Sequence, residues 1–173
     1  MAAGGKGMTA LFLLRHAKAE AGGTKEDRTR GLIEAGRRGA AAISAAMAER
    51  AINPSLVLCS DSARTRETLA IVLPTLKPAP EVIYEDELYL ADAKKLLKRL
   101  RRLPQDTESV MVVGHNPGLQ ELIVLLADQP TGPLMARVVQ EFPTAALARF
   151  EVNLPWPALA PGGAHLTALI APK

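Results

Sequence analysis

Cysteine and aromatic residues are scarce in this chain of 173 residues, and each shortage excludes a class of protein. The single cysteine, Cys59, rules out an internal disulfide and a metal site built from several cysteines, and it favours a reducing, cytoplasmic location. Aromatic residues make up only 3% of the chain, so we see no platform on which bases could stack. The formal net charge of +3 is mild, and we expect no nucleic-acid partner.

Long apolar runs are also missing. No stretch approaches the ~20 apolar residues that a membrane-spanning helix needs, so we expect no membrane association. Residues 1–8 lack the apolar segment of a signal peptide, and we expect them to form a flexible N-terminus. The length supports one sizeable hydrophobic core, which predicts a single domain over residues 9–173.

Two short apolar runs each lead directly to a histidine. Leu11–Leu14 is followed by Arg15 and His16, and Val110–Val113 is followed by Gly114 and His115. Runs of this kind are typical of strands buried on both faces of a parallel sheet. Because open α/β folds bind ligands at the carboxyl ends of such strands, we expect the two histidines to meet there.

The rest of the chain alternates between predicted strands and helices. Further strands are predicted over 56–59, 81–84, 144–152 and 165–171, and helices over 32–50, 63–73, 91–103, 117–127 and 134–140. The alternation predicts an α/β three-layer sandwich, with a mostly parallel central sheet, helices on both faces and an antiparallel edge. Arg64 falls in the first turn of the second helix, near the same end of the sheet. Asn116 is expected to cap the helix that follows His115, with Pro117 as its first residue.

Four side chains of this layout describe a site for a tetrahedral dianion. The guanidinium groups of Arg15 and Arg64 match phosphate oxygens in pairs and stay charged. The imidazoles of His16 and His115 are competent nucleophiles near neutral pH, and the nearby arginines disfavour their protonation. The N-terminus of the helix after His115 is expected to add its backbone dipoles to the pocket. Phosphoryl transfer needs little more than charge neutralisation and an in-line nucleophile.

Three motifs resemble those of a known family. Leu14–Ala17, Ser60–Thr68 and Gly114–Asn116 are similar, in order and spacing, to the three motifs of the histidine phosphatase superfamily, although Ala17 stands where its first motif has glycine. The short length and the segment Arg28–Gly36 resemble the branch of SixA-like phosphohistidine phosphatases. The resemblance implies a phosphoglycerate mutase-like fold.

The resemblance also implies roles for particular residues. His16 would attack phosphorus and become a transient phosphohistidine, which water then hydrolyses. Arg15, Arg64 and His115 would hold the phosphoryl oxygens, and no metal or other cofactor is implied. Two further residues, Arg30 and Asn116, would also bind substrate. Glu87 lies in the loop where other branches carry a general acid, and we assign it that role.

The short chain leaves little sequence for an insertion over the pocket, which favours a phosphorylated protein as substrate, such as a histidine phosphotransfer domain. A small phosphomonoester remains an alternative, as does a non-catalytic module that binds phosphate or a phosphoprotein. The basic helix over 91–103 is interpreted as a solvated face, with a docking surface as the alternative. His165 and Cys59 are interpreted as structural residues.

Overall fold

The central sheet is built from strands whose side chains are buried on both faces. In the computed structural model, which describes residues 8–23 and 25–172, Leu11 and Leu13 pack in one hydrophobic core. Phe12 and Leu14, on the opposite face of the same strand, pack in a second core. Most of the predicted flexible N-terminus, residues 1–7, lies outside the described part of the chain.

Six strands form one sheet in the order β3-β2-β4-β1-β5-β6. The strands are β1 (Thr9–Arg15), β2 (Leu56–Ser60), β3 (Glu81–Glu85), β4 (Ser109–Gly114), β5 (Leu147–Val152) and β6 (Ala164–Ile170). Strands β3, β2, β4 and β1 run parallel, whereas β5 is antiparallel to β1 and β6 is antiparallel to β5. The predicted mostly parallel sheet with an antiparallel edge is confirmed.

Helices cover both faces of this sheet. They are α1 (Glu34–Glu49), α2 (Ala63–Val72), α3 (Ala93–Arg101), α4 (Gly118–Leu126) and α5 (Pro133–Gln140). Apolar residues of α1 and α2 belong to the core on one face, and those of α3, α4 and α5 to the core on the other. The three-layer architecture is therefore as predicted, with helix ends that lie within two residues of the prediction.

The register of the parallel strands aligns the residues that follow them. Arg15 is paired with Gly114, and the amide of His16 donates to the Gly114 carbonyl at 3.1 Å. On the other side of β4, Cys59 is paired with Val113. The ends of β1, β4 and β2 therefore lie side by side, which places His16, His115 and Ser60 at one edge of the sheet.

Close packing at one glycine holds the segment that follows β1. A Cβ atom at Gly36, in the first turn of α1, would lie 1.9 Å from the carbonyl oxygen of Lys18. Only glycine allows the helix and this segment to approach so closely. The contact fixes the backbone just beyond His16 against α1.

Candidate active site

An open cavity of about 370 Å³ lies at the carboxyl edge of the parallel strands. Its lining includes six of the seven residues that the sequence predicted for the site, which are Arg15, His16, Arg30, Arg64, His115 and Asn116. These residues come from separate parts of the chain, and the strand register described above brings them together. The seventh predicted residue, Glu87, does not line the cavity.

His16 is held in a single tautomer by the residue that follows it. Its Nδ1 lies 2.7 Å from the carbonyl oxygen of Ala17, and because a carbonyl can only accept, Nδ1 carries the proton. Its Nε2 makes no hydrogen bond with the described residues and keeps its lone pair. Burial, reinforced by the charges of Arg64 and Arg15, lowers the pKa of His16 to about 4. The imidazole is therefore neutral at physiological pH.

His115 faces His16 across the cavity, with a distance of 5.4 Å between the ring centroids. Its Nε2 lies 2.7 Å from the hydroxyl of Ser60, which is completely buried at the end of β2. Burial, together with His16 and Arg64, lowers the pKa of His115 to about 3. The second imidazole is therefore also neutral, and Ser60 holds its ring in place.

Several polar atoms of the cavity have unused hydrogen-bonding capacity. Within the described residues, the buried side-chain nitrogens without a partner are Nε of Arg15, Nε of Arg64, Nδ1 of His115 and Nε of Arg149. Three of these four belong to residues that line this one cavity. Buried polar groups are nearly always paired in native proteins, so such a concentration marks a place where an oxygen-rich ligand would bind.

Asp27 is the main feature of the cavity that the sequence did not reveal. It lies in a short 3₁₀ helix, Asp27–Thr29, and its carboxylate accepts hydrogen bonds from Arg64 at 3.0 Å and from Arg30 at 2.7 Å. The hydroxyl of Tyr89 donates to the same carboxylate. These contacts, with Tyr89 first, hold the pKa of Asp27 well below its usual range. The sequence signal was only an aspartate three residues before Arg30 in a charged loop.

Tyr89 connects this aspartate to the histidine pair. Its ring stands edge-on to His115, with 5.4 Å between the centroids, and the guanidinium of Arg28 lies 4.1 Å from its centroid on one face. Burial and the hydrogen bond to Asp27 raise the pKa of Tyr89. The phenol thus stays protonated and donates to Asp27, which orders the loop that carries Asp27 and Arg30.

Asn116 lines the cavity but is tied into the scaffold. Its amide nitrogen donates to Phe142 O at 3.0 Å, and its amide oxygen accepts from Gln120 N at 3.3 Å. Helix α4 begins at Gly118, so Pro117 occupies the cap position rather than the first helical position that was predicted. The amides of Leu119 and Gln120 already donate to His115 O and to the Asn116 side chain, and the contribution of this helix N-terminus to the pocket stays a prediction.

The assignment of Glu87 as general acid is not supported by its position. Its carboxylate forms an ion pair with Arg102 and lies 3.7 Å from Arg99, on α3. The contact with Arg102 also lowers the pKa of Glu87, which opposes proton donation. The residue lies in a 3₁₀ helix, Asp86–Leu88, that directs it toward α3 instead of the cavity. A loop position does not reveal side-chain direction, and the prediction rested on position alone.

Ala17, the departure from the glycine of the first motif, is accommodated without backbone strain. Its φ angle is not in the left-handed region, where the described non-glycine residues are Ala51, Leu90 and Ala145. Its amide donates to Thr68 Oγ1 at 2.9 Å, and its methyl group is fully buried. The substitution therefore leaves the carbonyl free to bind His16.

The residues interpreted as structural lie away from the cavity. Cys59 is fully buried, and burial raises its pKa to about 12. His165 forms a hydrogen bond of 2.9 Å with Asp128, beside a second cavity of about 380 Å³ whose lining, as far as the described residues form it, contains no arginine or lysine. That cavity lacks the cations that a phosphoryl group needs.

The basic helix α3 is only partly the solvated face that was predicted. Its lysines are exposed, but Arg99 forms a two-pronged ion pair with Glu85, and Arg101 donates to Leu159 O at 2.7 Å. The arginines therefore fasten the helix to neighbouring segments.

Comparison with known proteins agrees with this geometry. Residues 11–92 match the profile of the histidine phosphatase superfamily (branch 1). The protein assigned as phosphohistidine phosphatase SixA in Agrobacterium tumefaciens is 32% identical, with a TM-score of 0.79 over 95% of this chain and 99% of that one. Its counterpart in Nakamurella is 29% identical, with a TM-score of 0.83 over 96% of this chain and 97% of the other. An uncharacterised protein of Mycobacterium tuberculosis is 33% identical over 119 residues, which are 68% of this chain and 73% of that protein.

The chain therefore belongs to the histidine phosphatase superfamily and, within it, to the SixA-like branch. This confirms the family and the phosphatase class of enzyme that the three motifs predicted.

Neither a metal-binding cluster nor a membrane-spanning helix occurs within the described residues. In residues 8–23 and 25–172, no three histidine, cysteine or carboxylate side chains are grouped so that they could hold a metal ion. The same part of the chain contains no helix long and apolar enough to cross a membrane. The cytoplasmic location stays a prediction.

Proposed function

We propose that this phosphatase removes the phosphoryl group from a phosphorylated histidine of a protein, such as a histidine phosphotransfer domain, through a covalent intermediate on His16. The observation that carries the proposal is the free Nε2 of His16. The ring is neutral, its tautomer is set by Ala17, and it lies in a cavity that also contains Arg15 and Arg64. Those guanidinium groups balance the charge of a phosphoryl dianion.

In the first step, Nε2 of His16 attacks phosphorus and the bond between phosphorus and the substrate nitrogen breaks. The substrate ring, already protonated on its other nitrogen, leaves as neutral imidazole, and its electron pair stays on the departing nitrogen. In the second step, water attacks the phosphorus on His16. The P–N bond breaks, both protons of the water leave with the phosphate, and His16 returns to its neutral form.

The protonation states of the cavity favour a nitrogen leaving group. His16 and His115 are both neutral, and Asp27 is ionised and already accepts hydrogen bonds from three side chains, those of Arg30, Arg64 and Tyr89. An alcohol leaving group needs a proton in the transition state, which these groups do not hold near neutral pH. A phosphohistidine ring is already protonated on its other nitrogen, so it can leave without a proton from a residue of the cavity.

Trapping the intermediate tests the proposal. A phosphohistidine protein labelled with ³²P is mixed with the enzyme, and the reaction is stopped in alkali, in which phosphohistidine survives. We expect label on the wild-type chain and none on His16→Ala, with His165→Ala as a matched control that retains labelling. Label that persists on the His16→Ala chain, or substrate binding without phosphate release by the wild type, would contradict the proposal.

Relative rates distinguish the substrate classes. We expect a phosphohistidine protein to be hydrolysed faster, by kcat/KM, than sugar or nucleotide phosphates. A strong preference for a small phosphomonoester would retain His16 chemistry but replace the protein substrate. Tight phosphoprotein binding without turnover would instead identify a binding module.

A further inference from the structure

One apolar side chain stands at the mouth of the cavity. Leu90 is 54% exposed and is the only large apolar side chain among the described residues that line the cavity. The residues that face a phosphoryl group are deeply placed by comparison, with His16 at 9%, Arg64 at 2% and His115 at 3% exposure. Leu90 therefore lies on the rim, beyond the place where the phosphoryl group would bind.

The backbone of Leu90 has an unfavourable conformation. Its φ angle is 51°, in the left-handed region, where a leucine side chain is strained and glycine or asparagine is favoured. An exposed leucine also gains nothing from burial. Strain together with an exposed apolar side chain is what a functional contact produces, since folding alone would select neither.

The neighbouring residues enforce this conformation. Leu88 and Ala91, which lie before and after it in the chain, are buried in the same hydrophobic core as the apolar residues of α3 and α4. The amide of Ala91 also donates to Leu88 O at 3.2 Å. The carbonyl of Ala91 packs directly on α4, because a Cβ at Gly118 would lie 1.9 Å from it. The backbone is therefore fixed on both sides, and the side chain of Leu90 is held outward.

We infer that Leu90 is an apolar contact for the protein that carries the phosphorylated histidine. This inference rests on the proposed function. When a phosphoryl group lies against the buried residues of the cavity, the part of the substrate that can reach the rim is the surface around its phosphorylated side chain. A small phosphoramidate has no such surface, so Leu90 determines specificity for a protein over a small molecule.

Two substitutions separate this role from a structural one. Leu90→Asn keeps the approximate size, suits the left-handed backbone and removes the apolar contact. Leu90→Met keeps both the strain and an apolar side chain. We expect Asn to raise or preserve the melting temperature but to lower kcat/KM on a phosphohistidine protein about tenfold, mainly through KM, as for truncation of an interface anchor. Met should preserve the rate.

Hydrolysis of free phosphoramidate is the internal reference, and Val139→Asn, at an exposed position of α5 outside the cavity lining, is the matched control. Val139→Asn should hydrolyse both the phosphohistidine protein and phosphoramidate at the wild-type rate. Leu90→Asn should hydrolyse phosphoramidate at the wild-type rate. An unchanged rate of Leu90→Asn on the protein, or equal losses on both substrates, would overturn the inference. A wild-type enzyme that hydrolyses small phosphates but not the phosphohistidine protein would instead remove the proposed function.

Discussion

Two clusters of arginines and carboxylates lie on either side of the segment from Glu85 to Tyr89. They differ in whether a buried arginine nitrogen is left without a hydrogen-bond partner. On one side, Arg99 and Arg102 of the α3 region bind Glu85 and Glu87, and Arg99 engages the Glu85 carboxylate with two nitrogens. On the other side, Arg64 and Arg30 bind Asp27, yet Nε of Arg64 remains buried without a partner among the described residues.

The difference separates structural charge from charge available to a ligand. The Glu85–Arg99 pair matches cation to anion and is largely buried, with side-chain exposures of 14% and 13%. The Asp27 cluster places a single carboxylate among several cations, beside two neutral histidines. Surplus positive charge with unused donors suits a phosphoryl dianion, whereas a closed ion pair only holds helix and strand together.

The largest expected effect is the loss of the nucleophile. His16→Ala should lower phosphate release by about 10³-fold or more, because no covalent intermediate can form. Circular dichroism and thermal unfolding should show a retained fold. The matched variant His165→Ala, whose imidazole is exposed and bound to Asp128, should keep normal activity. Substantial activity in His16→Ala would remove this residue from the mechanism.

Arginines from the two clusters should respond in opposite ways. Arg64→Ala is expected to lower kcat/KM about 100-fold, the scale for removing one donor to a transition-state oxygen. Arg99→Ala should leave activity within about twofold but lower the free energy of unfolding by about 1–3 kcal/mol, since Glu85 loses its buried partner. Steady-state kinetics and urea unfolding measure both. Equal kinetic losses in the two variants would erase the distinction between the clusters.

The carboxylates of the two clusters, Asp27 and Glu87, should also differ in their effect on activity, by a smaller factor than the arginines. Asp27→Asn should lower kcat/KM about tenfold, because Arg64 and Arg30 lose the group that positions them. Glu87→Gln should change it by less than about twofold, as expected for an exposed ion pair. Initial rates on a phosphohistidine protein test both. A large loss in Glu87→Gln with little effect in Asp27→Asn would reinstate Glu87 as the acid.

The histidines make stability depend on pH. The pKa of His16 is lowered to about 4 in the fold, so the unfolded chain takes up a proton first as the pH falls. The free energy of unfolding is therefore highest well above pH 6.5 and falls as the pH drops toward 4. At pH 5, His16 alone lowers it by about 2 kcal/mol. Urea unfolding at pH 7 and pH 5 measures this drop in the free energy of unfolding, which should be smaller in His16→Ala than in the wild type. The pKa of His165 is raised, so its small contribution has the opposite sign.

The smallest expected effect concerns metal ions. Prolonged treatment with EDTA, followed by assay in metal-free buffer, should leave phosphate release unchanged, since the proposed steps use only His16 and the arginines. Recovery of a lost activity by added Mg²⁺ or Zn²⁺ would contradict the scheme.

The sequence predicted best where a strand and its end carry the signal. The apolar runs that precede His16 and His115 are recognisable as buried strands because burial on both faces leaves no polar position. Parallel pairing then brings both histidines to one edge, so the sequence alone was enough to predict β1, β4 and the histidine pair. The second motif similarly placed Arg64 in the first turn of α2.

For the charged loops, the sequence predicted where the acidic residues lie along the chain but not which way their side chains point. Glu87 and Asp27 both lie in charged loops that contain 3₁₀ turns, and the sequence favoured the wrong one as the acidic residue of the site. Which way each carboxylate points depends on the turn and on partners such as Tyr89 and Arg102, which are 62 and 15 residues away along the chain.

Local pattern by itself therefore determined the order of strands and helices, the histidine pair and the family, since burial and strand periodicity are properties of short segments. Only the tertiary structure decided which anion accompanies the arginines, that Ser60 holds the ring of His115, and that Leu90 is held outward at the rim. Those depend on contacts between distant segments, and no spacing within one segment encodes them.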